Sequence, residues 1–355
     1  MAILGICSLK GGVGKTSVTL GLASAAIYAG MRTLVVDLDP QADTTLALGV
    51  SGAADNDVAA VLDNPSSFVV ESAIASSPWN SELLHVLVGS NESARHDGPS
   101  YSHRLTRLKH ALEFLEDRYD VILIDCPPSL GGLTRQGLTS CDRALVVTEL
   151  GLFSVTAAAR AFQAIDQIKS ESAPQLKPLG VLVNRVRTRS SEQAYRQEEL
   201  TGMFGPLILS TYIPERSALQ QAQGAGSPIH AWPSRAARDL ADRFDAVLAR
   251  AMRSIARDHE IVQEEAEGEE LKRAFEEGQQ AVQEQDSPSN DDDSVVSEPT
   301  VVEDISVPES TAEAIGDFPV VDDIPVTQAP VGNAPFGGSD EFVQFQPELD
   351  SERKQ

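Results

Sequence analysis

The sequence predicts an α/β protein with a mostly parallel, twisted sheet that carries helices on both faces. Short β-branched and aliphatic runs alternate with helix-length segments through residues 1–250, which is typical of a parallel sheet with crossover helices. Most of these runs are apolar at consecutive positions, as in strands that are buried on both faces. A glycine-rich turn joins the first run directly to the first helical segment.

The same patterns place the elements along the chain. Strands are predicted at residues 2–8, 33–39, 84–90, 120–126, 143–149, 179–184 and 207–213. Helices are predicted at residues 15–30, 103–118, 154–171, 192–204 and 234–257. The last helix is indicated by a capping serine at its start, followed by apolar residues at helical spacing.

Charge divides the chain into two parts. The formal net charge is -25; residues 1–250 carry 22 Lys and Arg against 26 Asp and Glu, whereas residues 251–355 carry 6 against 27. From Asp286 onward the chain is rich in Ser, Pro, Asp and Val, and such a segment buries too little apolar area to offset the entropy of ordering. We therefore expect an α/β domain over residues 1–257 and an acidic, largely disordered tail over residues 258–355, in which residues 259–284 can form a solvated helix.

Cysteine usage and hydropathy indicate the compartment. The cysteines Cys7, Cys126 and Cys141 form no disulfide framework or metal-binding pair, which fits a reducing environment and favours buried, inert thiols. The first apolar run is too short for a signal peptide, and no apolar run is long enough to cross a bilayer. We expect a cytoplasmic protein without a membrane partner.

The segment "KGGVGKTS", from Lys10 to Ser17, predicts a phosphate-binding loop because it follows a strand and opens a helix. Its glycines let successive backbone N–H groups point at phosphate oxygens. Lys15 is expected along the β- and γ-phosphates, and the Thr16 hydroxyl is expected to bind Mg²⁺. The alternative is a glycine-rich turn without a ligand. The residues predicted to contact the nucleotide here are Gly11, Gly12, Val13, Gly14, Lys15, Thr16 and Ser17.

Acidic residues follow two of the buried runs. Asp125 ends "DVILID", as the metal-shell aspartate of a nucleotide hydrolase does at the end of a neighbouring strand. Asp37 and Asp39 end another run, in "VVDLDPQ". A strand-terminal aspartate is by itself often a turn former, but three of them at one sheet edge beside a phosphate loop indicate a catalytic site.

With these motifs in place, the blocks "KGGVGKTS", "DLDPQAD", "ILIDCPPSL", "VNR" and "IPERSALQQAQGAGSPI" resemble the ParA branch of the ParA/MinD family of deviant Walker A ATPases, which have the P-loop NTPase fold. The resemblance covers about residues 1–250 and not the tail. It implies that Lys10, the additional lysine at the loop entrance, reaches the phosphates bound by a partner subunit in an ATP-dependent dimer.

The resemblance also implies roles for residues outside the loop. Asp39 resembles the aspartate that orients the hydrolytic water, and Asp125 resembles the Walker B residue, which holds magnesium through water. Asn184 and Pro214 match the positions that contact adenine. The catalytic residues predicted in this way are Lys10, Lys15 and Asp39, and the cofactors are ATP and Mg²⁺.

DNA is the expected partner of such a dimer, because family members bind it non-specifically through phosphate contacts. Residues 1–250 are nearly neutral overall, so a basic patch has to be local. The candidate residues are Arg187, Arg189, Arg216, Arg235 and Arg238, with Arg185 next to them. Glu215 follows "IP" where the family frequently has a basic residue, and any of these arginines taken singly can be an ordinary solvated side chain.

The sequence thus predicts a nucleoid-associated DNA-segregation ATPase that hydrolyses ATP slowly, forms an ATP-sandwich dimer and is released when a ParB-like partner stimulates hydrolysis. One alternative is a ParA-like positioning ATPase for a non-DNA cargo. A MinD-like spatial regulator is another, although the chain ends in an acidic stretch where that branch has a basic membrane-binding helix. A third is a scaffold whose tail recruits partners. The phosphate loop does not distinguish chromosome, plasmid and protein-assembly cargoes.

Overall fold

The computed structural model describes residues 1–98 and 102–285. They include a seven-stranded sheet with the strand order β3-β4-β2-β5-β1-β6-β7. Neighbouring strands are parallel except β3 and β4, which are antiparallel. The strands are β1 (Ala2–Cys7), β2 (Thr33–Asp37), β3 (Ile74–Ser76), β4 (Leu84–Leu87), β5 (Val121–Asp125), β6 (Arg143–Glu149) and β7 (Lys177–Asn184). The mostly parallel sheet agrees with the sequence prediction.

Helices connect the strands. They are α1 (Lys15–Tyr28), α2 (Asp43–Ala47), α3 (Val58–Asp63), α4 (Ser67–Ser72), α5 (Ser102–Leu105), α6 (Arg107–Glu113), α7 (Gly132–Thr139), α8 (Ser154–Glu171), α9 (Ser191–Phe204), α10 (Ser217–Gly224) and α11 (Arg235–Gln285). Short 3-10 turns cover Asn91–His96, Gly205–Leu207 and Ile229–Ala231. No helix among the described residues is both long enough and apolar enough to cross a membrane.

The sheet separates two apolar cores. On one face, α1, α10 and α11 pack against side chains such as Leu4 and Leu123. On the other face, α3, α6, α7, α8 and α9 pack against side chains such as Ile122 and Ile124. Alternate residues of β5 therefore enter opposite cores, which explains why the run is apolar at consecutive positions. The three cysteines are buried in the second core.

Parallel pairing brings the carboxyl ends of six strands to one edge of the sheet. The register of β2 and β5 places Asp37 opposite Asp125, and β1 lies between β5 and β6. Loops that leave the carboxyl ends of parallel strands converge at this edge, where open α/β sheets bind ligands. The phosphate loop, both aspartate-bearing ends, Glu149 and Asn184 all lie there.

Two of the predicted elements differ from the structure, and β3 and the short helices α2, α3, α4, α7 and α10 were not predicted. Residues 207–213 were expected to be a strand, but the structure has no strand there, so the prediction is wrong. The range forms one isolated bridge, Val181 with Ile208, and a second bridge joins Val186 to Pro214 just beyond it. The single helix predicted at 103–118 is two short helices, α5 and α6, and the second ends at Glu113. The chain then continues as a turn through residues 114–118, in which Asp117 has a left-handed φ of 65°.

Helix α11 crosses the domain boundary that the sequence suggested. It continues without a break beyond residue 257 to Gln285 and so includes the segment 259–284. Just past that boundary, Asp258 accepts hydrogen bonds from the buried Arg143 and from Lys177, each at 2.7 Å. The boundary at 257 stays a prediction, and the tail predicted to be disordered lies, from residue 286 onward, outside the described residues.

Candidate functional site

The phosphate loop joins β1 to α1 at the carboxyl edge of the sheet. Gly12 and Gly14 have φ values of 79° and 85°, in the left-handed region that glycine adopts readily. A Cβ on Gly14 would also clash with the Asn184 amide, whereas Gly11 and Gly12 face open space. The backbone geometry and the free space are those of a loop that wraps a ligand.

The two lysines of the loop differ in environment. Lys15, at the start of α1, is 7% exposed, and its charge acts on buried Asp125. Lys10 is exposed, and its ammonium lies near Gly151, in the loop that follows β6. One cation thus belongs to the interior of the site and the other to its surface.

Asp125 receives two hydroxyl groups. Its Oδ2 accepts hydrogen bonds from Thr16 Oγ1 at 2.9 Å and from Thr44 Oγ1 at 2.5 Å. Its other oxygen, Oδ1, is buried and has no hydrogen-bond partner among the described residues. Burial is the main reason why the pKa of Asp125 is raised. A buried carboxylate with an unsatisfied oxygen beside a threonine hydroxyl is suited to a divalent cation with its bound water.

Asp37 forms the second half of a carboxylate pair. Its Oδ2 accepts hydrogen bonds from both the backbone N–H and the hydroxyl of Thr45, each at 2.8 Å. Burial, and then the negative charge of Asp125, raise the pKa of Asp37 to about 7. Two negative charges on paired residues of neighbouring strands, Asp37 and Asp125, favour retention of a proton unless a cation compensates them.

Asp39 lies in the turn after β2, and its side chain is only partly buried. Its Oδ1 accepts a hydrogen bond from the backbone N–H of Gln41 at 3.1 Å. Ala42, with a φ of 53°, then turns the chain into α2, which carries Thr44 and Thr45. Asp39 therefore belongs to the same segment as the two threonines that hold the buried carboxylates.

Residues from β7, α1 and α10 enclose a pocket beside the loop. Its walls include Ser17, Asn184, Arg185, Pro214 and Gln223. Asn184 Nδ2 donates to the Val13 carbonyl at 2.7 Å, and Ser17 Oγ donates to Gln223 Oε1 at 3.3 Å. The two residues predicted to contact adenine, Asn184 and Pro214, are thus brought together next to the phosphate loop.

Acidic neighbours engage some of the predicted DNA-binding arginines. The guanidinium of Arg187 binds both carboxylate oxygens of Glu215, and Arg216 donates to the Glu215 carbonyl at 3.2 Å. Arg189 is exposed in the loop before α9, and Arg235 and Arg238 are exposed at the start of α11. The structure brings Arg187 and Arg216 together around Glu215, whereas Arg235 and Arg238 belong to a different element.

Several polar residues of the site carry no signal in the sequence. Thr44, Thr45 and Gln223 lie in helices of at most eight residues, and Glu149 is linked to the loop through Arg185. Thr44 and Gln223 have partners that are far away along the chain, and Thr45 reaches Asp37 across the turn after β2, so local patterns do not reveal these contacts. Asp37 was noticed as a strand-terminal acid, but its pairing with Asp125 depends on the sheet register.

A glycine-rich turn between a buried strand and a helix, with a threonine–aspartate contact beside it, defines a P-loop protein of the α/β class. The family model AAA_31, described as an AAA domain, matches residues 1–178. The chromosome partitioning protein ParA of Myxococcus xanthus is 30% identical over 237 residues, which are 64% of this chain and 80% of that protein. The chain belongs to the AAA domain family and, within it, to the ParA-type ATPases.

Two further comparisons give one more relative and one solved structure of similar fold. An uncharacterized protein of Mycobacterium tuberculosis is 32% identical over 252 residues, which are 68% of this chain and 79% of that protein. The crystal structure of cobyrinic acid a,c-diamide synthase from Mycobacterium smegmatis with bound ADP and magnesium is 26% identical with a TM-score of 0.59; the match covers 70% of this chain and 94% of that one. The family resemblance and the fold class expected from the sequence are confirmed.

Proposed function

We propose that the chain is a partitioning ATPase that binds ATP with Mg²⁺ at the carboxyl edge of the sheet, dimerises around the nucleotide, and binds DNA non-specifically until hydrolysis releases it. The observation that carries the proposal is the contact of Thr16 with Asp125 beside an open, glycine-rich loop. A glycine-rich turn without a ligand needs no such contact, whereas a nucleotide site uses the loop for phosphates and the threonine and aspartate for the metal.

The residues at the carboxyl edge of the sheet are suited to binding a nucleotide with Mg²⁺. The buried, unpartnered Oδ1 of Asp125 can accept a hydrogen bond from metal-bound water, and the Thr16 hydroxyl can bind the metal directly. The backbone N–H groups of the loop and the Lys15 ammonium would hold the phosphates. Magnesium would supply charge compensation for the phosphate oxygens and for the carboxylate pair.

Hydrolysis needs a positioned water and charge stabilisation of the phosphoryl group. Asp39 is the partly exposed carboxylate of the site and is our candidate for orienting water. Lys10 is exposed at the loop entrance, with its ammonium near the loop that follows β6. We assign it to the phosphates of a second copy of the chain, so that dimerisation reports the nucleotide state.

DNA would be held by exposed arginines, with Arg189, Arg216, Arg235 and Arg238 as candidates, and a ParB-like protein would stimulate hydrolysis. Such a protein would be cytoplasmic and associated with the nucleoid. The pairing of Arg187 with Glu215 and of Arg185 with Glu149 favours one alternative, because it removes two cations from this surface. That alternative is a positioning ATPase of the same cycle whose cargo is not DNA.

Substitutions in the site test the cycle. Lys15→Ala is expected to abolish ATP binding, because the buried cation against the phosphates is lost. Asp39→Ala should bind ATP and remain a dimer, because only water placement is lost. Lys10→Ala should bind ATP with affinity near wild type yet stay monomeric. Calorimetry gives the affinities, and size-exclusion chromatography in ATP gives the oligomeric state.

Each measurement tests one of the proposed roles separately. A monomeric Asp39→Ala protein beside a dimeric wild type would remove Asp39 from water placement. A dimerisation constant for Lys10→Ala equal to that of wild type would remove the role across the interface. DNA binding that does not depend on ATP, or no DNA binding in any nucleotide state, would favour the non-DNA cargo.

A further inference from the structure

Arg185 follows the last residue of β7, at the wall shared by the pocket and the phosphate loop. Its φ of 54° lies in the left-handed region, which a non-glycine residue occupies at a cost in free energy. Among the described residues only Ala42 and Asp117 share this property without being glycine. A residue held in this conformation is expected to have contacts that keep it there.

The guanidinium of Arg185 joins two separate elements. Its Nη1 donates to the Gly12 carbonyl at 2.7 Å and to Glu149 Oε1 at 2.8 Å. Gly12 belongs to the phosphate loop, and Glu149 is the last residue of β6. The preceding residue, Asn184, holds the next carbonyl of the loop, that of Val13, at 2.7 Å. Two consecutive carbonyl groups are therefore held from the end of β7.

Holding the carbonyl groups also orients the N–H groups that follow them. In a trans peptide the C=O and N–H of one peptide plane point in opposite directions, and the described residues contain no cis peptide bond. With the carbonyls of Gly12 and Val13 turned toward β7, the N–H groups of Val13 and Gly14 point away from it. N–H groups oriented together in this way form the concave surface that binds phosphate oxygens.

We propose that Arg185 is a positioning residue for phosphate binding, which fixes the Gly12–Val13 peptide and anchors it to Glu149. This inference rests on the proposed nucleotide function and adds to it a residue outside the phosphate-loop motif. The side chains of Arg185 and Glu149 are 46% and 26% exposed, and ion pairs with such exposure contribute little to folding. The effect on the loop can therefore be measured apart from stability.

The test measures the affinity for Mg·ADP and for pyrophosphate by calorimetry and the melting temperature of the nucleotide-free protein. Arg185→Ala is expected to weaken both ligands about tenfold, because the loop loses one of its two carbonyl contacts. Glu149→Ala should weaken them about threefold through loss of the anchor. Simple electrostatics predicts the opposite sign for Glu149→Ala, since removal of a negative charge beside a phosphate site would tighten binding.

Arg185→Gly distinguishes positioning from folding. Glycine adopts the observed φ without strain, so this variant should melt at a higher temperature than Arg185→Ala and still lose the same affinity. Arg32→Ala is the matched control. Its side chain is 49% exposed, and it bridges the Asp117 carbonyl at 2.9 Å and Asp120 at 2.7 Å, at the amino edge of the sheet. We expect unchanged affinity for both ligands in this control.

Unchanged affinity in Arg185→Ala would overturn the proposal, and so would tighter binding by Glu149→Ala. Equal losses of affinity in Arg32→Ala and Arg185→Ala would also overturn it, because they would show that the loss follows from the change in net charge and not from the position of Arg185. These results differ from a failure of the proposed function itself, in which the wild-type protein binds neither ADP nor pyrophosphate.

Discussion

Two carboxylates at the ends of neighbouring strands are buried at a cost in free energy to the fold. Asp37 and Asp125 are both 0% exposed, and both have raised pKa values, mainly because of burial. Their hydrogen-bond donors are the threonines of the phosphate loop and of α2. Without a metal cation, one proton between them relieves the repulsion.

The raised pKa of Asp37 predicts a pH-dependent stability. The folded-state pKa is about 7 and the ordinary value is 3.8, so the folded protein binds more protons than the unfolded chain between these values. The free energy of unfolding should therefore be greatest at the acidic end and fall as the pH rises through 7. From 1.36 kcal/mol per pK unit, the loss is on the order of 2–4 kcal/mol.

Asp37→Asn tests this dependence, because the amide oxygen can still accept from Thr45 while the charge is gone. Urea unfolding of the nucleotide-free protein at pH 5 and pH 8 gives the comparison. The variant should be more stable than wild type at pH 8, and its loss between the two values should be smaller. An equal pH dependence in both proteins would show that Asp37 is not the group that titrates.

Local pattern predicted those residues of the site whose chemistry is contained in a short motif. The glycines and lysines of the loop are recognisable because a tight turn followed by a helix needs that spacing. Thr44 and Glu149 were not predicted as site residues, and Arg185 was named only beside the DNA-binding candidates, because their importance comes from partners that only the folded sheet brings near. The carboxylate pair likewise depends on the register of β2 and β5.

Among the elements, α1 and α11 are packed closely because one position in α1 has no side chain. A Cβ on Gly21 would clash with the ring of Phe244, which is fully buried on α11. Gly21→Ala should therefore destabilise the protein by about 1–3 kcal/mol through overpacking, although alanine favours the helix. Thermal unfolding measures the change.

Two further variants establish the cause of that loss. Gly21→Ala with Phe244→Leu should be more stable than the sum of the single changes predicts, because the smaller side chain leaves room for the methyl group. Gly202→Ala, in α9, meets nothing within 4 Å and should raise stability by about 0.5–1 kcal/mol. If Gly21→Ala behaves like Gly202→Ala, the close packing of the two helices is not sterically limited at this residue.

The elements were predicted well where strands are buried on both faces and poorly at the edge of the sheet. β7 is the last strand, and the chain beyond it makes only isolated bridges at Ile208 and Pro214. The run at 207–213 is apolar because it covers this edge, as an irregular segment with separate hydrogen bonds to β7 rather than as a continuous strand. Apolar composition alone cannot tell these two cases apart.

At the scale of the whole molecule, the first residue of the predicted acidic tail, Asp258, contacts the α/β domain. Asp258 accepts from Arg143, whose side chain is 4% exposed, so a chain that ends at residue 257 would leave a buried guanidinium without its carboxylate. We expect such a chain to melt at a lower temperature than one that ends at Gln285, because an uncompensated buried charge is costly. Equal melting temperatures would show that the Asp258 contact contributes nothing.

The chain ending at Gln285 is then the right one for a test of the remaining tail. Residues 286–355 carry 17 Asp and Glu against 2 Lys and Arg. Under the proposed function, a tethered acidic segment would compete with DNA for the same arginines. Removal of this segment should tighten ATP-dependent binding to random-sequence DNA, most strongly at low salt. ATP turnover without DNA should not change. Equal affinities across a salt titration would leave the tail as a recruiting arm or linker.

The burial of the three cysteines makes the folded protein a convenient background for site-specific labelling. Burial raises the pKa of the Cys7 thiol to about 12 and that of Cys126 and Cys141 well above the usual value, so the reactive thiolate is scarce at neutral pH. Ellman's reagent should find no fast-reacting thiol until denaturant is added. A dye could then be attached through Gly202→Cys, on the exposed side of α9, with all native cysteines kept in place.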